Sequence, residues 1–184
     1  MRTPLLVLAA TVLMALALPA HGDEWAFPAA SQPGYAPNPT ISFKVGAMAP
    51  DSGSSGFAGG VELSLDNPLI QTGYGKIRDQ FSYNRFDSSG LKIETLEYNP
   101  HYMVPIGERV WVGGGPGIGY MFTDSVSGPS PDLWTAQLGV SASTVIDHLQ
   151  IGLEARWQWT EDQRVGNANG ADNWLTMLKF GYAY

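Results

Sequence analysis

The residues able to do chemistry in this sequence are few, and most of them fall on one side of alternating segments. Lys44, Arg78, Arg156 and Lys179 stand against Glu62, Glu97 and Glu154, with Gln80, Asn84, His101, Gln137 and Gln158 between them. Three chemistries are open to such a set. One is an acid–base pair, because Glu97 and His101 lie two pleats apart on one face, as a base and its orienting carboxylate would. The second is a charged lining for a narrow passage. The third is a static network in which nearly balanced charges pair and fill the space between them. For His101 the plain alternative to catalysis is a histidine satisfied inside that network.

Other chemistries are poorly supplied. Gly113, Gly115, Gly117 and Gly119 suggest a phosphate loop, but the spacing is not GxGxxG and no Lys-Ser/Thr or helix follows. Asp124, Asp132, Glu161, Asp162 and Asp172 sit in polar connecting stretches, where solvated carboxylates are the ordinary reading, so no metal and no cofactor is expected. The sequence has no Cys, which suits a chain crossing an oxidising compartment without disulfides. The formal net charge of −7 argues against nucleic acid as a partner.

The elements that must position these residues are strands. In Asn173 to Tyr184, Trp174, Leu178, Phe180, Tyr182 and Tyr184 share one face with Thr176, and Leu175, Met177, Lys179, Gly181 and Ala183 share the other. Such an apolar edge needs a partner, and the first strand of a closed barrel supplies one. Alternation marks seven more strands: Thr40 to Ala49, Phe57 to Leu65, Tyr74 to Phe86, Lys92 to Val104, Arg109 to Phe122, Leu133 to Ile146 and Leu149 to Thr160. Asp66-Asn67-Pro68 is expected to end the second strand, and Pro100 to bulge the fourth. Asp79 is a misfit on the apolar face of the third.

Which face meets lipid follows from energy. Turning Arg156 to lipid would cost roughly 2–4 kcal/mol near the midplane, so the polar face lines the lumen. The expected fold is all-β, an eight-stranded antiparallel transmembrane up-and-down barrel. A soluble barrel with an apolar interior predicts the reverse arrangement. Short connections, Pro105 to Glu108 and Asp147-His148, alternate with the long ones from Thr123 to Asp132 and Glu161 to Asp172. Short turns then face the periplasm and long loops the outside. Phe81, Tyr83, Tyr120, Phe122, Trp134, Trp157, Trp159 and Trp174 are expected near the outer interface, and Tyr98, Tyr102, Tyr182 and Tyr184 near the inner one.

Ahead of the strands, Arg2 precedes an apolar run from Leu5 to Leu18 and small residues at Ala20-His21-Gly22, the pattern of a cleaved secretory signal over residues 1–22. Residues 23–39, with Pro28, Pro33, Pro37 and Pro39, read as an extended leader whose Trp25, Phe27 and Tyr35 could pack on the end of the 40–184 barrel domain.

Two stretches carry a family resemblance. Leu96 to Pro105 leading into Val110 to Tyr120, together with Phe180-Gly181-Tyr182-Ala183-Tyr184, resemble the small eight-stranded barrels of the bacterial outer membrane, the outer membrane protein A-like porin-family domains. The resemblance implies outer-membrane lipid as surroundings and the barrel assembly machinery as a folding partner. It covers structural proteins, adhesins, small-molecule passages and enzymes, so it leaves function open. The same hairpin resembles lipid A 3-O-deacylase, whose His and Ser towards the outer end of the penultimate strand have no counterpart in Ala155 to Thr160. The reading is therefore a non-enzymatic barrel with a plugged polar lumen, serving a structural role or an external partner at its outer loops. A narrow passage for small solutes is the alternative, and an acyl hydrolase acting on lipid A through His101 is the third.

Overall fold

Alternating segments become a single closed wall in the computed structural model, which describes residues 33–51 and 53–184. The expected signal sequence, and Trp25 and Phe27 after it, lie outside these residues. The strands in chain order are β1 (Thr40–Pro50), β2 (Gly56–Gln71), β3 (Lys76–Ser88), β4 (Leu91–Ile106), β5 (Val110–Ser125), β6 (Leu133–Ile146), β7 (Leu149–Thr160), β8 (Arg164–Val165), β9 (Ala168–Asn169) and β10 (Asn173–Ala183). Going round the wall, β1 pairs β10, then β7, β6, β5, β4, β3 and β2 follow, and β2 returns to β1, all antiparallel. The fold is thus the all-β, eight-stranded antiparallel up-and-down barrel. The hydrophobic last strand loses its open edge to β1, paired from Thr40↔Ala183 to Pro50↔Asn173.

The strands run steeply across the wall. A circuit from Ala183 through Thr40, Ser64, Gln80, Asn99, Gly117, Gln137 and Gln158 returns to β10 at Asn173, ten residues from its start. A stagger of this kind accompanies strand tilt in small barrels. Side chains alternate as the sequence requires: Val140 and Ile118 are about 60% exposed on the outside (61% and 59%), while Lys44, Glu154 and Arg156 are at most 1% exposed inside.

Connections 72–75, 107–109 and 147–148 lie at one end of the barrel, and the described residues 51 and 53–55, with 89–90, 126–132 and 161–172, at the other. The turn placed by sequence at Pro105 to Glu108 lies at 107–109, because β4 runs on to Ile106, paired with Val110, and Arg109 falls outside β5. The β3–β4 connection tightens to Ser89-Gly90, both with positive φ (52° and 78°), as a two-residue hairpin turn demands. Inside the connection 161–172, β8 and β9 form a small hairpin about Gly166 (φ 58°) that alternation did not indicate.

Two expectations about proline need correction. β2 does not end at Asp66-Asn67-Pro68. Its ladder with β3 lapses after Asp66↔Arg78 and resumes at Gln71↔Lys76, an irregularity across a proline that has no N–H to give. Nor is β4 bulged at Pro100. Its register with β5 is unchanged from Tyr98↔Ile118 to Tyr102↔Gly114, with the pairs between them missing. That register sets Pro100 opposite Pro116, and neither can donate across the rung they share. Pro116→Ala supplies one donor to the carbonyl of Pro100 and is expected to raise stability by about 0.5–1.5 kcal/mol, read as an upward shift of the urea midpoint in lipid vesicles.

Candidate functional site: the barrel lumen

Charged side chains from five strands meet at the centre of the barrel. Lys44 (β1), Glu62 (β2), Glu97 (β4), Glu154 and Arg156 (β7) and Lys179 (β10) are all buried. Lys44 Nζ stands 2.6 Å from Glu154 Oε1 and 3.7 Å from Glu62 Oε2. Lys179 Nζ bridges Glu62 at 2.7 Å and Glu154 at 2.6 Å. Arg156 donates to Glu154 at 2.8 Å and to Glu97, and lies 3.5 Å from Glu62. Three cations thus face three carboxylates. Amides and hydroxyls complete the set: Gln158 and Thr95 each donate to Glu97 at 2.6 Å, and Gln80 accepts from Arg156 at 3.2 Å and Lys179 at 3.3 Å. Charges out of water need such complete pairing, since a lone one would be costly.

Small residues make the room. A Cβ at Gly139 would come within 2.9 Å of His101 Nε2 and 3.1 Å of Arg156 Cγ, and one at Gly119 within 2.7 Å of Thr135 Oγ1 and 3.2 Å of Glu97 Cγ. The glycines of β5 and β6 therefore admit large polar side chains into a narrow lumen. The space left beside the network, between Arg78, Gln80, Met103 and Gln150, is about 10 Å³. This is at the threshold for one water molecule.

A second cluster lies towards the short-turn end. Asp66, fully buried, accepts from Arg78 at 2.7 Å, from Lys76 at 2.7 Å and from Asn38 Nδ2 at 2.8 Å. Arg78 belongs here and not to the central set, donating also to Ser64 at 2.9 Å. Residues 34–39 close over it: Asp66 N donates to Pro37 O at 2.7 Å, and the Tyr35 hydroxyl donates to Asp66 O at 2.9 Å. Partial burial, then the negative charges of Asp66 and Asp79, push the Tyr35 pKa up and keep that hydroxyl a donor. Sequence reading missed Asp66, although it lies on the face of Glu62 and Ser64 by parity.

His101 does not form the dyad with Glu97 that would serve an acyl hydrolase. Its Nδ1 is 2.8 Å from Ser141 Oγ, its Nε2 has no partner, and the residue is fully buried. Glu97 is occupied by Arg156, Gln158 and Thr95. Parity sets both residues on the lumen face, where the guanidinium on β7, and not the imidazole on its own strand, takes Glu97.

At the long-loop end the lumen changes character. Met48, Phe86, Ile93, Met121, Leu133, Leu175 and Met177 pack into a buried apolar layer, covered by Val165 of the β8–β9 hairpin and by Ala171. Asp172, one of the loop carboxylates, accepts from the Thr160 N–H at 2.7 Å and its hydroxyl at 2.9 Å, pinning the loop to β7.

Solved structures share this wall. The chain aligns with Ail, the attachment invasion locus protein of Yersinia pestis, over 80% of its own length and 97% of Ail, at 15% identity and a TM-score of 0.53. Neisserial surface protein A aligns over 79% of this chain and 96% of its own, at 11% identity and a TM-score of 0.55. The fold is that of the small eight-stranded outer-membrane barrels. No family profile and no curated protein matches the sequence.

The outward-facing surface of the barrel carries its aromatics in groups. Trp157 lies 5.0 Å from Trp174 and 6.3 Å from Trp159, and Tyr120 5.1 Å from Trp134, all towards the long-loop end. Tyr182 lies 4.8 Å from Tyr184 at the other end, and Tyr102 beside Gly75 of the 72–75 turn. Phe81 corrects the expected belts, since it packs 5.0 Å from Tyr98 and cannot belong to the opposite interface. The outward-facing Asp79 is satisfied by Tyr98 Oη at 2.9 Å and Asn67 Nδ2 at 2.7 Å.

Proposed function

We propose that this chain is an outer-membrane barrel with a sealed lumen, whose activity resides in the loops it presents to the outside. The observation carrying the proposal is the central network of Lys44, Arg156 and Lys179 with Glu62, Glu97 and Glu154, which spans the lumen with every charge paired. An apolar layer on one side and residues 34–39 on the other add to the seal. His101, fully buried, is not placed to meet a lipid as the reacting group of an acyl hydrolase. Short turns belong to the periplasmic side and the long connections to the outside, with outer-membrane lipid around the wall and the barrel assembly machinery as the folding partner.

Planar-bilayer recording of the refolded protein tests the reading, after heat-modifiable gel migration has established folding. A silent membrane is expected. Steady discrete openings in the wild type, altered by Lys44→Gln or Lys179→Gln, would replace the sealed barrel with a narrow passage.

A further inference from the structure

The connections at the long-loop end enclose a cleft of about 280 Å³ directly above the apolar layer. All four contribute. Its walls carry Ser54, Ser88, Ser89, Ser125, Ser127 and Asn167, and its floor includes Leu91 and Val165. Among the described residues no charged and no aromatic side chain lines it, although Asp51, Asp87, Lys92, Asp124 and Arg164 stand on the same rim.

The cleft is built rather than a gap between loose loops. Val126 N donates to Gly90 O at 3.0 Å, tying the 126–132 connection to the β3–β4 turn. Gly166 N donates to Pro129 O at 2.8 Å, tying the β8–β9 hairpin to 126–132, and Asp51 N donates to Asp172 O at 2.8 Å, tying the first connection to the last. Within the walls the hydroxyls stand in pairs, Ser125 with Ser127 at 3.1 Å and Ser88 with Ser89 at 3.5 Å. A cleft fixed before binding spends little free energy on ordering.

From this lining we infer that the cleft binds a neutral saccharide of one or two rings. Hydroxyls both donate and accept, so the serine pairs of the lining match sugar hydroxyls in either sense. Leu91 and Val165 offer an apolar floor to the C–H face of a ring. Among the described lining residues there is no Lys or Arg to pair with a phosphate or sulfate, and on the rim Lys92 and Arg164 are outnumbered by Asp51, Asp87 and Asp124. The volume lies at the small end of ligand pockets, which excludes a long peptide. The inference deepens the outer-loop reading and rests on it.

The test is saturation-transfer NMR on the full chain folded in nanodiscs, with maltose and lactose as neutral probes and a sulfated heparin disaccharide as the charged one. Binding of a neutral disaccharide is expected, weakened about tenfold in Ser88→Ala/Ser125→Ala, which removes two hydroxyl partners, and abolished in Ser127→Trp, which fills the cleft. Heat-modifiable migration of each variant separates lost binding from lost folding. Competition by lipopolysaccharide bearing a neutral outer sugar chain, but not by lipid A with inner core alone, assigns the ligand to the cell's own surface. If that competition fails while the disaccharide still binds, the ligand belongs to another surface. Response to the sulfated probe alone, no response to either neutral sugar, or binding that survives Ser127→Trp overturns the site. A silent bilayer alongside that result leaves the sealed barrel standing, and a conducting one removes the reading beneath it.

Discussion

Arg156→Met is expected to destabilise the barrel by about 3–5 kcal/mol, the cost of breaking a buried charge network by removing one partner. Methionine keeps much of the volume, so the loss is electrostatic. Arg156 bonds Glu97 and Glu154 and lies 3.5 Å from Glu62. Without it, three buried carboxylates share two ammonium groups, Lys44 and Lys179, and neither is paired with Glu97. Equilibrium urea unfolding in lipid vesicles, followed by tryptophan fluorescence, reads the change. Adding Glu97→Gln should restore much of it by removing the orphaned charge. A single variant within about 1 kcal/mol of wild type would mean that the network fills the lumen without holding it.

The second large effect lies on the other side of the wall. Val140, 61% exposed near the middle of β6, faces outward between Gly114 and Ala155. Val140→Arg is expected to cost about 2–4 kcal/mol in a bilayer, where the guanidinium must leave water at mid-depth. Ile146→Arg, at the end of the same strand, should cost about 0–1 kcal/mol because the charge reaches the interface. A barrel surrounded by water would show little difference between the two, since exposed substitutions ordinarily fall within about 0.5 kcal/mol of neutral. Urea titration of both variants in vesicles of one lipid makes the comparison.

How far the sequence discloses this molecule varies along the chain for physical reasons. β6 and β7 have the bounds that alternation predicts, Leu133–Ile146 and Leu149–Thr160, because their polar and apolar residues alternate almost without interruption and a tight turn separates them. β2 was cut short because Asp66-Asn67-Pro68 has strong turn chemistry, and only the buried bonds from Arg78 and Lys76 to Asp66 explain why it still belongs to the wall. Which side chains enter the lumen follows from parity alone. Their partners do not, because pairing across a lumen joins residues distant in sequence, as Arg156 with Glu97 and Lys179 with Glu62. Sequence reading assigns Phe81 to the outer interface and Tyr98 to the inner one, yet the tight hairpin at Ser89-Gly90 fixes a register that sets the two rings side by side. The serine-lined cleft was invisible because four separate connections build it.

The rung shared by Pro100 and Pro116 sets how this cylinder yields. The closing seam between β1 and β10 is paired without a break, whereas the β4–β5 seam has missing rungs midway along its length. Stiffness around the circumference is therefore uneven, and with the β2–β3 seam interrupted only towards its short-turn end, mid-depth compression should be taken up as shear along the β4–β5 line. Amides beside that line should exchange with deuterium sooner than those of the terminal strands. The wall is thus expected to yield first at an interior hairpin, ahead of the seam that joins its first and last strands.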